Sequence, residues 1–127
     1  MKQSDLTVIT KAKDLCSYIM KVTDKSPKKF RYTFVARLQN LALDIIEDLY
    51  RANDVFLAPN DSAAYAQRLS LQRRALTNLR ILSYFSMLAA DVGCLLFKQY
   101  EETARLASES MNYLGAWMNS DKRRFQP

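Results

Sequence analysis

Asp44, Glu47 and Asp48 are the densest group of carboxylates in the sequence, and their spacing would gather them on neighbouring turns of one helix. General acid–base or metal chemistry is the first use such a group suggests. Arg37 and Arg51, however, fall one or two turns away on the same helix, so a solvated or ion-paired face is the better reading. Residue type closes the other routes to catalysis. The 127 residues include no histidine, so neither a Ser-His-Asp nor a Cys-His relay can be built. The Glu-x-x-His pairs of a di-iron bundle fail for the same reason. Cys16 and Cys94 lie far apart in the chain and cannot close a zinc site without histidine partners. Both stand in apolar company and read as reduced, buried, small side chains. Neither glycine belongs to a phosphate-cradling motif. The sequence predicts no catalytic residue, no metal ligand and no cofactor.

Binding chemistry is better represented. Between Ser62 and Ala90 stand Arg68, Arg73, Arg74 and Arg80, without a single acid. Charged helices usually mix signs, because oppositely charged neighbours one turn apart stabilise them. These four charges must be answered by another helix, another subunit or a polyanion. At about 100° per residue, Arg73, Thr77, Arg80 and Tyr84 share a wedge of roughly 60° beside the apolar face. Arginine and tyrosine on one stripe suit phosphates and exposed bases. The alternative is ion pairing with Asp44, Glu47 and Asp48, or with the last helix. A second basic group, Lys25, Lys28, Lys29 and Arg31, surrounds the first connection and reads alone as a solvated turn. With Lys21 and the C-terminal Lys122-Arg123-Arg124 it becomes a candidate anion contact. The whole chain carries 19 Lys and Arg against 13 Asp and Glu, a formal charge of +6 that favours an anionic partner.

Four helices are needed to position these groups. Two glycines and three prolines leave little room for the tight turns of a β fold. The first helix starts at Ser4 or Asp5 and runs to about Thr23, with Ile9, Ala12, Cys16, Ile19 and Met20 as its apolar stripe. Pro27 closes the connection behind it. The second begins between Lys29 and Tyr32 and reaches about Asn53, lined by Leu38, Leu41, Ala42, Ile45, Leu49 and Ala52, with Glu47 and Arg51 as an intrahelical pair. Asp61 or Ser62 caps the third, which extends to about Asp91, is roughly 40 Å long and buries Tyr65, Leu69, Leu76, Leu79 and Leu82. Gly93 stops it. The fourth runs from about Phe97 to Met118, with Tyr100, Ala104, Ala107, Met111, Leu114 and Trp117 inward and the pairs Lys98–Glu102 and Glu101–Arg105 outside. Gly115, costly inside a helix, predicts close approach of another helix, within the bundle or across a subunit boundary.

Short connections between long helices predict one all-α domain over residues 1–127, an antiparallel up-down-up-down four-helix bundle with a fraying basic tail at 119–127. Residues 1–13 are polar and charged, unlike a signal peptide. The uncharged apolar run at 81–90 is too short for a bilayer, so a cytoplasmic protein without a membrane partner is expected.

The order of these pieces resembles the four-helix-bundle accessory proteins of diversity-generating retroelements, the accessory variability determinant family. The matching stretches are Ser26-Pro27-Lys28-Lys29-Phe30-Arg31-Tyr32-Thr33, then Leu38 through Asn53 ending Leu49-Tyr50-Arg51-Ala52-Asn53, then the third helix around Leu79-Arg80, and finally Lys98-Gln99-Tyr100-Glu101-Glu102 leading to Leu114-Gly115-Ala116-Trp117. The resemblance implies a basic homo-pentamer that binds RNA or DNA and a reverse transcriptase, supporting mutagenic complementary-DNA synthesis. A related branch, encoded in intervening sequences of ribosomal RNA genes, usually carries Asn-Ile-Ala-Glu-Gly on helix two, where this chain has Ile46-Glu47-Asp48-Leu49-Tyr50-Arg51. The retroelement branch is therefore favoured. A ribosome- or RNA-associated protein of the second branch, and an oligomeric scaffold without nucleic acid, are the alternatives. On the retroelement reading, the nucleic-acid contacts are Arg68, Arg73, Arg74, Arg80, Tyr84, Lys28, Lys29 and Arg31.

Overall fold

The computed structural model describes residues 3–125, with side-chain environments from Thr7 onward. These residues form four long helices and no strand: α1 (Gln3–Thr23), α2 (Ala36–Asp54), α3 (Ser62–Asp91) and α4 (Phe97–Phe125). A 3-10 turn at Lys28–Phe30 and a π-helical turn at Arg31–Val35 lead into α2. The second helix thus enters near Lys29–Tyr32 as expected, but its first turn is wider than an α-helix. Among the described residues, no helix is long and apolar enough to cross a membrane.

Local chemistry sets the helix ends. Beyond α1 the chain unwinds through Asp24 N–H to Met20 C=O and Ser26 N–H to Thr23 C=O, just ahead of Pro27. Asp61 is the N-cap of α3, its carboxylate accepting from Ala64 N–H at 3.0 Å. Gly93 follows α3 with φ +86°. There Cys94 N–H reaches Ala89 C=O at 2.8 Å and Gly93 N–H reaches Ala90 C=O at 3.2 Å, the crossed pair of bonds that satisfies helix-end carbonyls. Only a residue free to adopt that left-handed conformation closes the turn without strain. Gln99 then reaches back to Leu96 N–H at 2.8 Å and starts α4.

Each helix packs chiefly on two others, α1 on α2 and α4, and α3 on α2 and α4. The buried positions step by four and three in every helix: Val8, Ala12, Leu15, Ile19 and Val22 in α1; Leu38, Ala42, Ile45, Leu49 and Ala52 in α2. That is a seven-residue period, the pattern of side chains interlocking between helices that coil gently about one another.

The seam of α3 differs from the expected one. Leu79 and Leu82 are fully buried, but their companions are Arg68, Gln72, Ala75, Ser86 and Ala89, while Tyr65, Leu69 and Leu76 lie half-buried on the flank. In α4 the seam is Thr103, Ala107, Ser110, Leu114, Trp117 and Asp121; Tyr100, Ala104 and Met111 sit beside it. Polar residues occupy seam positions in both helices, so apolar periodicity points to the neighbouring stripe.

Two further differences concern α4. The helix continues through Phe125, because Asp121 is buried against α3 and Phe125 stacks on Tyr65, with ring centroids 4.5 Å apart and planes 7° apart. The fraying expected from Asn119 therefore does not begin there; residues 126–127 lie outside the described residues. A Cβ built on Gly115 meets nothing within 4 Å among the described residues, so none of them approaches it closely.

Candidate functional site

The four arginines of α3 divide by face. Arg68 lies in the seam, its side chain 7% exposed. Its Nε donates to Asp121 Oδ2 at 2.7 Å and its Nη2 to Asp121 Oδ1 at 2.9 Å, while Nη1 donates to Val55 C=O at 3.3 Å. The guanidinium also rests 4.9 Å from the Trp117 ring centroid. Gln72 Nε2 donates to the same carboxylate at 3.0 Å. Arg68 therefore ties α3 to α4 from inside and has no free edge to offer a ligand. Burial removes it from the expected polyanion surface.

Arg74 projects on the flank toward α2. It grips Asp48 in a fork, Nε to Oδ2 at 3.1 Å and Nη2 to Oδ1 at 2.9 Å. The pair is lopsided, with the carboxylate side chain 6% exposed and the arginine 61%. Hydrogen bonding to Asp48, then its charge, holds the guanidinium more firmly protonated than usual. The pairing with α2 considered for the helix-three arginines is thus found for Arg74. Glu47 instead pairs with Arg51 at 3.2 Å on its own helix, as expected.

Arg73 and Arg80 have no such partner. Both are exposed on the opposite flank, toward α4, and neither forms an ion pair with a described residue. Three of the acids of α4, Glu102, Glu109 and Asp121, are engaged elsewhere. Arg105 pairs with Glu102 at 2.7 Å and Glu109 at 3.2 Å, rather than with Glu101, and Lys11 of α1 also reaches Glu109. Hydrogen bonds from Arg105 and Lys11 hold Glu102 and Glu109, respectively, below the ordinary carboxylate range.

Two shallow clefts between α3 and α4 take up the unpaired pair. Arg80 shares one of about 260 Å³ with Tyr84, Met87, Tyr100 and Met111, and Tyr84 is 58% exposed. Arg73 shares one of about 290 Å³ with Tyr65, Leu69, Met118 and Lys122. The clefts follow one another along the helix, since Arg73 and Arg80 are about 10 Å apart at ~1.5 Å per residue. Lys122, read from sequence only as part of a basic tail, joins this face because α4 stays helical past it.

The first-connection cluster stands apart. Lys28 and Lys29 ride the 3-10 turn and Arg31 opens the π turn; all three are exposed. Lys29 Nζ lies 5.2 Å from the centroid of the Phe30 ring, and none of the three forms an ion pair with a described residue. Ser26 Oγ donates to Cys94 C=O at 2.8 Å, joining this connection to the one after α3. The cluster leads into the α2 side of the bundle, not the α4 side that holds Arg73 and Arg80.

Cys16 and Cys94 are buried and free, and burial pushes both thiols up, away from the reactive thiolate form. No three cysteine or carboxylate groups among the described residues converge as a metal site would require. The carboxylates Asp44, Glu47 and Asp48 separate, the last pointing into its pairing with Arg74. The chain matches no family model and no curated protein.

Proposed function

We propose that this chain is a basic, non-catalytic helical scaffold that binds RNA or an RNA–DNA hybrid through the outer stripe of α3. The observation that carries the reading is the contrast within one helix: Arg68 and Arg74 each hold an acid of the same chain, while Arg73 and Arg80 hold none among the described residues. Exposed guanidiniums seven residues apart, with Tyr84 and Lys122 beside them, suit a phosphate backbone carrying accessible bases. The sequence resemblance to retroelement accessory proteins adds the partner, a reverse transcriptase.

The helices alternate in direction in this reading. The start of α3 meets the end of α4 at Arg68–Asp121, and Arg74 meets Asp48 late in α2. A homo-oligomer, five-fold on the resemblance, accounts for Gly115: a mid-helix glycine costs about 1 kcal/mol, and no described residue fills the space beside it.

The test is the double variant Arg73→Ala with Arg80→Ala. Circular dichroism and melting should match the parent. Affinity for structured RNA should fall, and the slope of log K against log salt should shallow by about one to two, one for each lost phosphate contact. A folded variant that binds RNA like its parent removes both residues from the site.

A further inference from the structure

On the other flank of α3, a cleft of about 520 Å³ opens where the π turn meets the helix. Tyr32, Phe34, Phe85 and Leu88 supply its apolar walls, and Arg37, Asn40 and Thr33 its polar edge. Its size falls within the roughly 300–1,000 Å³ of small-ligand sites, which pair apolar walls with a few polar groups. Tyr32 is 85% exposed, so its ring is open to a ligand from solvent. The wide turn beneath it matters, since π turns inserted at the ends of α-helices change the direction in which successive side chains project. Arg37 stacks 5.8 Å from the Phe85 ring centroid, and its side chain, like that of Asn40, makes no hydrogen bond or ion pair with a described residue. Immediately ahead in the chain stand Lys28, Lys29 and Arg31, three exposed cations.

We propose that this cleft seats one unpaired base of a nucleic-acid strand, with the strand's phosphates held by Lys28, Lys29 and Arg31. The inference rests on the polyanion reading above and adds to it a preference for unpaired segments of the strand. Charge complementarity selects the occupant: the cleft is apolar and aromatic, its approach is cationic, and a base attached to a phosphodiester carries both matching parts. Tyr32 and Phe34 offer flat faces to the ring. Asn40 can both donate to and accept from a base edge, while Arg37 only donates. A base inside a duplex presents no free face, so paired strands gain only the phosphate contacts.

The experiment uses the full chain and an RNA oligonucleotide with one 2-aminopurine, presented as a single strand and as a duplex. The single strand should bind more tightly, and its fluorescence should be quenched as the base stacks. Tyr32→Ala should weaken single-strand binding roughly tenfold, the scale of one lost base-stacking contact. It should remove the quench yet leave the salt slope unchanged, because no phosphate contact is lost. Asn40→Ala should reduce the preference among single-strand sequences. Arg73→Ala with Arg80→Ala should do the reverse, shallowing the slope and keeping the quench. Full quenching and parental affinity in both Tyr32→Ala and Asn40→Ala would overturn the base seat while leaving the α3 stripe standing. A parent chain that binds neither RNA form at low salt would overturn the polyanion reading and this inference with it.

Discussion

Arg68 and Arg73 stand five residues apart on one helix, and their surroundings are opposite. The first is enclosed by Asp121, Gln72, Trp117 and a backbone carbonyl; the second meets only the rim of a shallow cleft. Five residues turn an α-helix by about 140° beyond a full turn, enough to move a side chain from the seam to the outer flank. Identical chemistry therefore serves packing on one face and remains available on the other. What decides is whether a neighbouring helix brings a carboxylate into reach.

That comparison breaks most sharply at its buried end. Arg68→Ala would leave Asp121, 1% exposed, as a buried charge whose main partner is gone. A loss of roughly 3–5 kcal/mol is expected, read as an early transition in urea or thermal melts. Arg68→Met combined with Asp121→Leu should recover part of it, because removing both charges removes their desolvation cost while buried Gln72 loses its acceptor. If Arg68→Ala melts with the parent, the distinction between inner and outer arginines fails.

Arg74→Ala tests the middle case and should lower the melting temperature by less than Arg68→Ala. The guanidinium that it removes is largely in water, while the carboxylate left behind is not. Arg73→Ala with Arg80→Ala marks the other limit, with no change in melting. Gly115→Ala gives the smallest effect and the most informative sign. In an isolated protomer, alanine should stabilise α4 by about 0.5–1 kcal/mol, since the added methyl meets no described residue. A lowered melting temperature, with dissociation seen by light scattering, would mean that another subunit's backbone occupies that space.

Much of the fold is legible in the sequence because it is set locally. Pro27, Asp61 and Gly93 mark their boundaries through chemistry confined to a few neighbouring residues. Although Val8, Leu15 and Val22 complete the α1 seam and Met20 lies beside it, Ala12, Ile19 and most of the α2 stripe follow from apolar spacing. The stripes of α3 and α4 do not, because Arg68, Gln72, Ser86, Thr103, Ser110 and Asp121 hold seam positions that hydrophobicity assigns elsewhere. Arg68 finds its acid 53 residues further along, a partnership without any local signature. The same pairing carries α4 past its expected end and brings Lys122 beside Arg73. Arg73, Arg80 and Tyr84 share a stripe in the structure as helical geometry predicts, whereas the cleft beside Arg37 depends on a π turn that periodicity does not reveal.

Trp117 is the only indole in the chain, and it lies 1% exposed beneath the Arg68 guanidinium. Its emission is therefore an intrinsic optical probe of one event, the separation of the last turns of α4 from α3. Ligands settling on the outer stripe or over the π turn touch residues other than the indole. Its spectrum thus distinguishes a loosened bundle from an occupied surface without any added label.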